Sequence, residues 1–168
     1  MTIRTYHDPL HHGIKLDSKN PAEAMVMELI DSGPFQRLRR IRQLGPAFLT
    51  FHGAESSRFT HSLGVFHLAR SAIQKLLVLD STLKEHLGLL YAASLLHDIG
   101  HGPLSHSGEE MFGINHEKWS ARLIMGSPEI NQTLEKYASG TTKAVVDLIG
   151  KKCAPRSVIK DLVSSQLD

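Results

Sequence analysis

Hydrophobic positions recur at helical spacing along most of this chain. From Thr60, leucine, isoleucine and phenylalanine return every three or four residues over about twenty positions, which predicts a long amphipathic helix. Residues 83–96 are strongly apolar and predict a buried central helix. Further helices are predicted at roughly 21–31, 34–44, 104–112, 116–125, 129–138, 141–149 and 156–166. Strand-like alternation is scarce, so the predicted fold class is all-α.

Turn-forming residues set the limits of the first helices. Asn20 followed by Pro21 is a typical helix start, because the asparagine side chain caps free N–H groups and proline fits the first turn. Gly33-Pro34 separates this helix from the next one. Residues 1–19 are predicted to be irregular, and residues 47–57 to form a short extended or looped excursion.

The composition fits one globular domain and narrows the choice of compartment. The chain has 168 residues, of which 41% are hydrophobic, and it is long enough to bury its own core. Its net charge of +2 demands neither nucleic acid nor an acidic membrane as a partner. The single cysteine, Cys153, excludes an internal disulfide framework and a cysteine-based zinc cluster. Since the sequence shows no signal peptide and no apolar run of transmembrane length, we expect a cytoplasmic, soluble protein without a membrane partner.

Four arginines lie close together at Arg37, Arg39, Arg40 and Arg42. Such a cluster can bind nucleic acid through its phosphates. A solvated helix face, or an edge turned toward a bound phosphate, is the more frequent role of a run of this kind. Nucleic acid therefore stays open as a partner without further support from the sequence.

Histidine is unusually frequent, and its densest group follows the predicted central helix. The chain has 11 histidines, and the segment HDIGHGPLSH begins with His97 and Asp98 at the end of this buried element. A buried imidazole and a buried carboxylate both need partners, and a divalent cation such as Fe, Mn or Zn satisfies them together. The alternative is that the pair only caps the helix C-terminus, which is the more frequent case for a His-Asp dipeptide taken alone.

A second histidine favours a metal site over a helix cap as the role of His97 and Asp98. His61 lies in the first turn of the long predicted helix and is expected to face inward, near Leu63 and Phe66. A lone inward histidine is more often a hydrogen-bonded core residue than a ligand. Arg58, three residues upstream, is an independent indication, since a phosphate beside a metal calls for a bidentate cation.

Four ordered motifs resemble those of a known family. The segments RLRRIRQLG, SRFTHSLGV, LLHDIGHGPLSH and NHE are similar to the HD-domain superfamily. Within it they most resemble the deoxynucleoside triphosphate triphosphohydrolases, the dGTPase and SAM-and-HD-domain relatives, from about Asp8 to Trp119. The resemblance implies an HD-domain helical bundle around a central metal site. It also implies hydrolysis of deoxynucleoside triphosphates to deoxynucleoside and triphosphate.

The resemblance assigns metal and substrate contacts to particular positions. The metal ligands that it implies are His61, His97 and Asp98, around a divalent ion that could be Mn, Mg, Fe, Zn or Ni. The substrate contacts that it implies are Arg58 for a phosphate and Gln43 and Leu44 for the nucleoside sugar and base.

It also implies a set of catalytic side chains. His101 and His116 correspond to histidines that contact phosphate, and His106 corresponds to a proposed general acid. Glu109 lies three residues after His106 and can reach it along one helix face, which would fix the ring tautomer and raise its pKa.

One ligand of the family pattern has no counterpart in this sequence. The fourth metal ligand of relatives is an aspartate in a later segment, and Asp168 aligns with an earlier aspartate of that segment. We therefore expect residues 1–168 to be a single HD domain that forms the N-terminal part of a longer family fold, with Asp168 as a possible substitute ligand.

Three interpretations of the function stay open from the sequence. The first is a triphosphohydrolase that binds a nucleotide and, like its relatives, forms homo-oligomers. The second is another HD phosphohydrolase, namely a nucleotidase, a phosphodiesterase or a nuclease. The third is a catalytically weak regulatory module that binds nucleotide or metal, which the missing fourth ligand favours.

Overall fold

A computed structural model describes residues 2–151 and 157–164 of the chain. Within these ranges helices predominate, which confirms the predicted all-α class. The α-helices are α1 (Pro21–Asp31), α2 (Gly33–Gln36), α3 (Arg58–Leu76), α4 (Leu87–Leu96), α5 (Ser105–Phe112), α6 (His116–Gly126), α7 (Pro128–Tyr137), α8 (Thr141–Ile149) and α9 (Ser157–Ser164). Short 3-10 segments cover Arg37–Arg40, Gly45–Leu49 and Ser81–His86.

The central helix covers most of the segment predicted at 83–96, since α4 begins at Leu87 and a 3-10 segment occupies Ser81–His86 before it. Helix α4 packs against α1, α3, α8 and α9, and nearly all of its residues are buried. A helix that is apolar on every side is stable only when other elements surround it. Because α4 is enclosed, the residues that follow its last turn emerge inside the molecule, and His97 is its C-terminal cap.

A small β-hairpin precedes the helices. Strands β1 (Ile3–Asp8) and β2 (His12–Asp17) pair antiparallel, so the prediction of an irregular segment at 1–19 is wrong. The sequence pattern that indicates this hairpin is a short alternation in β2, where Ile14 and Leu16 are buried in the core on either side of an exposed lysine. Two apolar residues were too few to stand out against the strong helical pattern of the rest of the chain.

The helix predicted at 34–44 is replaced by three shorter pieces. Helix α2 makes one turn, the 3-10 segment Arg37–Arg40 follows, and Ile41 is extended. Tertiary contacts explain the change, because the Ile41 carbonyl accepts the N–H of Arg58 at 2.8 Å and Arg42 forms an isolated β-bridge with Ser57. These bonds to the start of α3 replace the hydrogen bonds that would have continued the helix.

Helix α3 begins two residues before the predicted Thr60. Its start is a capping box in which the Ser57 side chain accepts the N–H of Thr60, while the Thr60 hydroxyl accepts the N–H of Ser57. This cap places Arg58 at the first helical position and His61 at the end of the first turn, and Arg58 is buried at 1% exposure.

The later helices agree closely with the prediction. Helices α5 to α8 begin and end within about one residue of the predicted limits. In the part of the chain that the structure describes, no helix has both the length and the apolar character needed to cross a bilayer. Cys153 and Asp168 lie outside the described residues, so what the sequence predicts of them stays a prediction.

Candidate active site

The three predicted metal ligands lie together and are called the HHD cluster here: His61, His97 and Asp98. The Nε2 atoms of His61 and His97 lie 3.3 Å apart, although the residues are 36 positions apart in sequence. The Oδ2 atom of Asp98 lies 3.5 Å from the Nε2 atom of His61 and 3.6 Å from that of His97. The first turn of α3 and the end of α4 thus bring three donor atoms to one point.

The main chain determines which nitrogen of His97 faces this cluster. Its Nδ1 atom lies 2.8 Å from the carbonyl oxygen of Ser94, one turn earlier in α4. Because a carbonyl oxygen can only accept, Nδ1 donates the proton, and a neutral His97 presents the lone pair of Nε2 to the cluster. The hydroxyl of Ser120 in α6 supports this turn by donating to the His97 carbonyl at 3.1 Å and accepting the N–H of Gly100 at 2.9 Å.

The donor atoms have the spacing that a divalent cation requires. Two donors that each lie about 2.1 Å from one cation are about 3.0 Å apart in octahedral and about 3.4 Å apart in tetrahedral coordination. The separations in the HHD cluster, 3.3, 3.5 and 3.6 Å, fall near the tetrahedral value. Two imidazole nitrogens and one carboxylate oxygen suit Fe, Mn or Zn. The HHD cluster could therefore hold such an ion, with other positions left to water or substrate.

Asp98 carries the negative charge of the cluster while being only 6% exposed. Burial alone would raise the pKa of this carboxyl group, but His101, His97 and Arg58 together outweigh burial and hold the pKa well below its usual range. The strongest neighbour in geometric terms is Arg58, whose Nη1 group donates to Oδ2 of Asp98. The sequence predicts that Arg58 contacts a phosphate, and the structure places its guanidinium against the HHD cluster.

The remaining predicted catalytic residues form a second group, called the His/Glu cluster here: His101, His106, Glu109 and His116. The Oε1 atom of Glu109 lies 2.7 Å from Nδ1 of His116, 3.1 Å from Nδ1 of His101 and 3.5 Å from Nδ1 of His106. One carboxylate oxygen therefore faces three imidazole rings. Glu109 does lie beside His106, as the sequence predicts, but its carboxylate accepts a hydrogen bond from Nδ1 of His116.

His101 connects the two clusters. Its Nε2 atom lies 3.4 Å from Oδ1 of Asp98, while its Nδ1 atom faces Glu109. Its ring stacks on that of His116 with the centroids 4.1 Å apart, and His106 meets it edge-on at 4.7 Å. Burial lowers the pKa of His101, which is only 1% exposed, below the ordinary histidine value.

The predicted nucleoside contacts lie beside Arg58. The carbonyl oxygen of Gln43 is 3.5 Å from Nη2 of Arg58, and it accepts a hydrogen bond of 3.0 Å from the hydroxyl of Ser105. Leu44 is 38% exposed, so its side chain is accessible to a ligand. The structure therefore places all ten predicted site residues around one region that joins α3, the end of α4 and the start of α5.

Two cavities border this region. One of about 590 Å³ is lined by Gln43, Ser57, His61 and the tip of the β-hairpin. Another of about 590 Å³ is lined by Glu109, His116 and mainly apolar side chains that include Phe112 and Trp119. Both volumes fall within the range of about 300–1,000 Å³ that small-molecule sites occupy.

Sequence reasoning missed three residues that support the site. Ser120 and Ser105 make the hydrogen bonds given above. Arg37, half-buried, donates to the carbonyls of Ile99 at 2.6 Å and His101 at 2.8 Å, so it holds the loop after α4, which carries His97, Asp98 and His101. The sequence offered Arg37 only as one member of a basic run, and nothing in the spacing separated it from its neighbours. Arg39 and Arg42 instead cover the rings of Phe59 and Phe48.

Similar proteins are found across the whole length of the chain. It is 41% identical to the uncharacterized protein YwfO of Bacillus subtilis over 98% of its length. It is 37% identical to the human deoxynucleoside triphosphate triphosphohydrolase SAMHD1 over 81% of its length. A phosphohydrolase of Bacteroides thetaiotaomicron has the same fold over 99% of the chain, with a TM-score of 0.77 and 31% identity.

These relatives are much longer than this chain, which covers 37% of YwfO, 23% of human SAMHD1 and 39% of the Bacteroides structure. The family model described as HD domain matches residues 58–157, a range that begins at Arg58 and contains the HHD and His/Glu clusters. The chain belongs to the HD-domain phosphohydrolase superfamily.

Proposed function

We propose that this protein is a metal-dependent hydrolase that cleaves deoxynucleoside triphosphates to deoxynucleoside and inorganic triphosphate. The observation that carries this proposal is the convergence of two imidazole nitrogens and one carboxylate oxygen within 3.6 Å of one another, next to four further polar side chains. The choice of substrate rests on the similarity to relatives named as deoxynucleoside triphosphate triphosphohydrolases, at 34–38% identity. The roles given below belong to the same proposal.

His61, His97 and Asp98 would hold the divalent cation, whose identity among Mn, Mg, Fe, Zn and Ni stays open. Such a cation supplies Lewis acidity that activates water near neutral pH. The chain's own contribution is orientation. Ser94 holds the ring of His97, and Arg58 and His101 hold the two oxygens of Asp98.

Positive charge and hydrogen-bond donors would stabilise the phosphoryl oxygens. Arg58 and His116 lie on either side of His101, and both would stabilise an oxygen on which negative charge increases in the transition state. The two ring nitrogens of His101 face Asp98 and Glu109 and its side chain is fully buried, so His101 would act on the phosphate by orienting these neighbours. Arg58 donates from Nη1 to Asp98 and from Nη2 to Ser105, and its positive charge would act on the phosphoryl oxygens from this position beside the HHD cluster.

His106 would donate the proton to the leaving oxygen. Its side chain is 66% exposed, whereas that of His101 is fully buried, so His106 is the histidine of the His/Glu cluster most accessible to a substrate. Glu109, 3.5 Å from its Nδ1 atom, would stabilise the protonated ring. Gln43, which lines the neighbouring cavity, and the exposed side chain of Leu44 next to it would contact the nucleoside.

We also propose the setting in which this reaction occurs. Residues 1–168 would act as one HD domain that corresponds to the N-terminal part of the longer relatives. The protein would be cytoplasmic and form homo-oligomers, with a nucleotide as its partner.

The test is an activity assay with each deoxynucleoside triphosphate in the presence of Mn or Mg. Triphosphate and deoxynucleoside are expected as products, and His97→Ala should abolish their formation while leaving the helical circular dichroism largely unchanged. His86→Ala is the matched control, since His86 lies at the opposite end of α4 from the HHD cluster. Full turnover by His97→Ala would contradict the proposal.

The same assay distinguishes the other interpretations. Release of phosphate from nucleoside monophosphates or cleavage of phosphodiesters, without triphosphate, would indicate another HD phosphohydrolase. Metal binding without any turnover would indicate a regulatory module.

A further inference from the structure

Ser105 has a backbone conformation that a serine rarely adopts. Its φ is +55°, and the preceding residue, Leu104, has a φ of +69°. Residues other than glycine are disfavoured in this left-handed region because Cβ approaches the following carbonyl oxygen. Such conformations persist where surrounding contacts fix them, and they are concentrated at functional sites. The cause here should therefore be found among the neighbours of Ser105.

The hydroxyl of Ser105 joins two groups that the proposed function uses. It accepts a hydrogen bond from Nη2 of Arg58 and donates one of 3.0 Å to the carbonyl oxygen of Gln43. Ser105 is 4% exposed, so water does not compete for these bonds. A hydroxyl has one donor and two acceptor positions, and this arrangement uses the donor and one acceptor.

The main chain next to Ser105 is fixed by an unusually close approach. Gly45 has a φ of +53°, and a Cβ atom at this position would lie 2.4 Å from the carbonyl oxygen of Leu104. Only glycine allows this distance. The segment that carries Gln43 and Leu44 therefore lies directly against the turn that begins α5, and Ser105 bridges it to Arg58.

From these contacts we infer that Ser105 is a positioning residue, which holds the Arg58 guanidinium and the Gln43 main chain in a fixed relation. This role rests on the proposed function, in which Arg58 contacts a phosphate and Gln43 the nucleoside. With Nη1 bonded to Asp98 and Nη2 to Ser105, both ends of the guanidinium fork are fixed. Without the hydroxyl, Nη2 loses its bond to Ser105 and keeps the longer approach of 3.5 Å to the Gln43 carbonyl, so the guanidinium is oriented less firmly.

Three substitutions separate positioning from simple structural support. Ser105→Gly removes the hydroxyl and also relieves the backbone, since glycine adopts positive φ freely. Ser105→Ala removes the hydroxyl and keeps the strain. Ser105→Thr keeps the hydroxyl, but its branched Cβ is disfavoured at positive φ. A structural role predicts that activity follows stability, with the glycine variant best and the threonine variant worst.

A positioning role predicts the opposite order of activities. We expect kcat to fall about tenfold in both Ser105→Gly and Ser105→Ala, with KM changed by less than about threefold, because a misdirected donor mainly weakens transition-state stabilisation. Ser105→Thr should retain more of the wild-type kcat than either, in spite of a lower melting temperature. Wild-type kcat in Ser105→Gly would overturn the role of Ser105.

A double-mutant cycle tests whether Ser105 acts through Arg58. In an Arg58→Lys background the forked contact is already lost, so adding Ser105→Ala should lower kcat by less than about twofold more. Two independent effects that multiply in the double variant would overturn this inference.

The two levels of the proposal fail in different ways. Absence of deoxynucleoside triphosphate hydrolysis in the wild-type protein would overturn the proposed function and, with it, the role of Ser105. Wild-type hydrolysis that is lost in His97→Ala but unchanged in Ser105→Gly would overturn the role of Ser105 alone.

Discussion

Ser120 shows how a single buried hydroxyl can support the site without touching a substrate. It is fully buried, donates to the His97 carbonyl and accepts the N–H of Gly100. Ser120→Ala leaves that partly buried N–H without its acceptor and the His97 carbonyl without this donor, which should lower the free energy of unfolding by about 1–3 kcal/mol. Denaturant titration measures this loss. The control is Ser139→Ala, at an exposed serine between α7 and α8, which should change the free energy of unfolding by less than about 0.5 kcal/mol. Equal losses in the two variants would contradict the role of Ser120.

The Arg37 side chain holds the loop after α4 through hydrogen bonds to the main chain of that loop. Its two Nη groups donate to the carbonyls of Ile99 and His101. Arg37→Met keeps most of the apolar stem but removes both bonds, and we expect a loss of about 2–3 kcal/mol in denaturant titration. Arg37→Lys should recover only part of the lost stability, because one ammonium group does not reproduce the two parallel N–H donors of the guanidinium. Full recovery by lysine would show that charge alone, and not the two bonds, is what the loop requires.

At the scale of elements, the helices were predictable where burial on one face repeats over several turns. Helices α5 to α8 follow such patterns and were placed correctly, and α4 was placed by its continuous apolar character. The segment 34–44 has the same kind of pattern, yet bonds between its main chain and α3 shorten it. A sequence shows periodicity but not which distant N–H group will compete for a carbonyl.

The site was predictable only in part. The convergence of His61, His97 and Asp98 was expected from the resemblance of their segments to the HD-domain superfamily, and the predicted helices alone did not require it. The residues that support the site could not be predicted. Ser105, Ser120 and Arg37 act through main-chain carbonyls whose positions depend on the folded loop. The hydrogen bond that the Glu109 carboxylate accepts from Nδ1 of His116 likewise depends on how α6 packs beside α5.

The contact between the β-hairpin and α3 predicts a pH dependence of stability. The rings of His11 and His67 lie 5.1 Å apart, and burial, with His11 and Arg70 nearby, lowers the pKa of His67 in spite of the opposing charge on Asp8. The folded state thus favours neutral His67, so its contribution to stability is present above the ordinary histidine pKa of about 6.5 and is lost as the pH falls. The melting temperature of His67→Gln should therefore decrease less than that of the wild type between pH 7.5 and 5.5.

His7→Gln provides the control for this measurement. His7 lies on the same hairpin but is exposed, so its replacement should leave the pH dependence unchanged. Parallel curves for wild type and His67→Gln would show that the hairpin contact does not respond to protonation of His67.

At the scale of the whole molecule, the HHD cluster connects two helices that are far apart in sequence. Helix α3 supplies His61 and the end of α4 supplies His97 and Asp98, and both helices belong to the core. An ion that binds this cluster binds only the folded chain, since the unfolded chain does not bring the three donors together. Metal binding should therefore stabilise the entire fold and not just the loop around it.

The size of this stabilisation can be stated in advance. At a free metal concentration about 100 times Kd, a single site adds about 2.7 kcal/mol, which corresponds to a rise in melting temperature of about 5–10 °C for a chain of this size. A thermal melt with Mn or Zn, compared with a melt in a chelator, measures the shift. His97→Ala should lose most of it and His86→Ala should keep it. An equal shift in His97→Ala would mean that the ion binds outside the HHD cluster, and the His/Glu cluster would then be the first place to look.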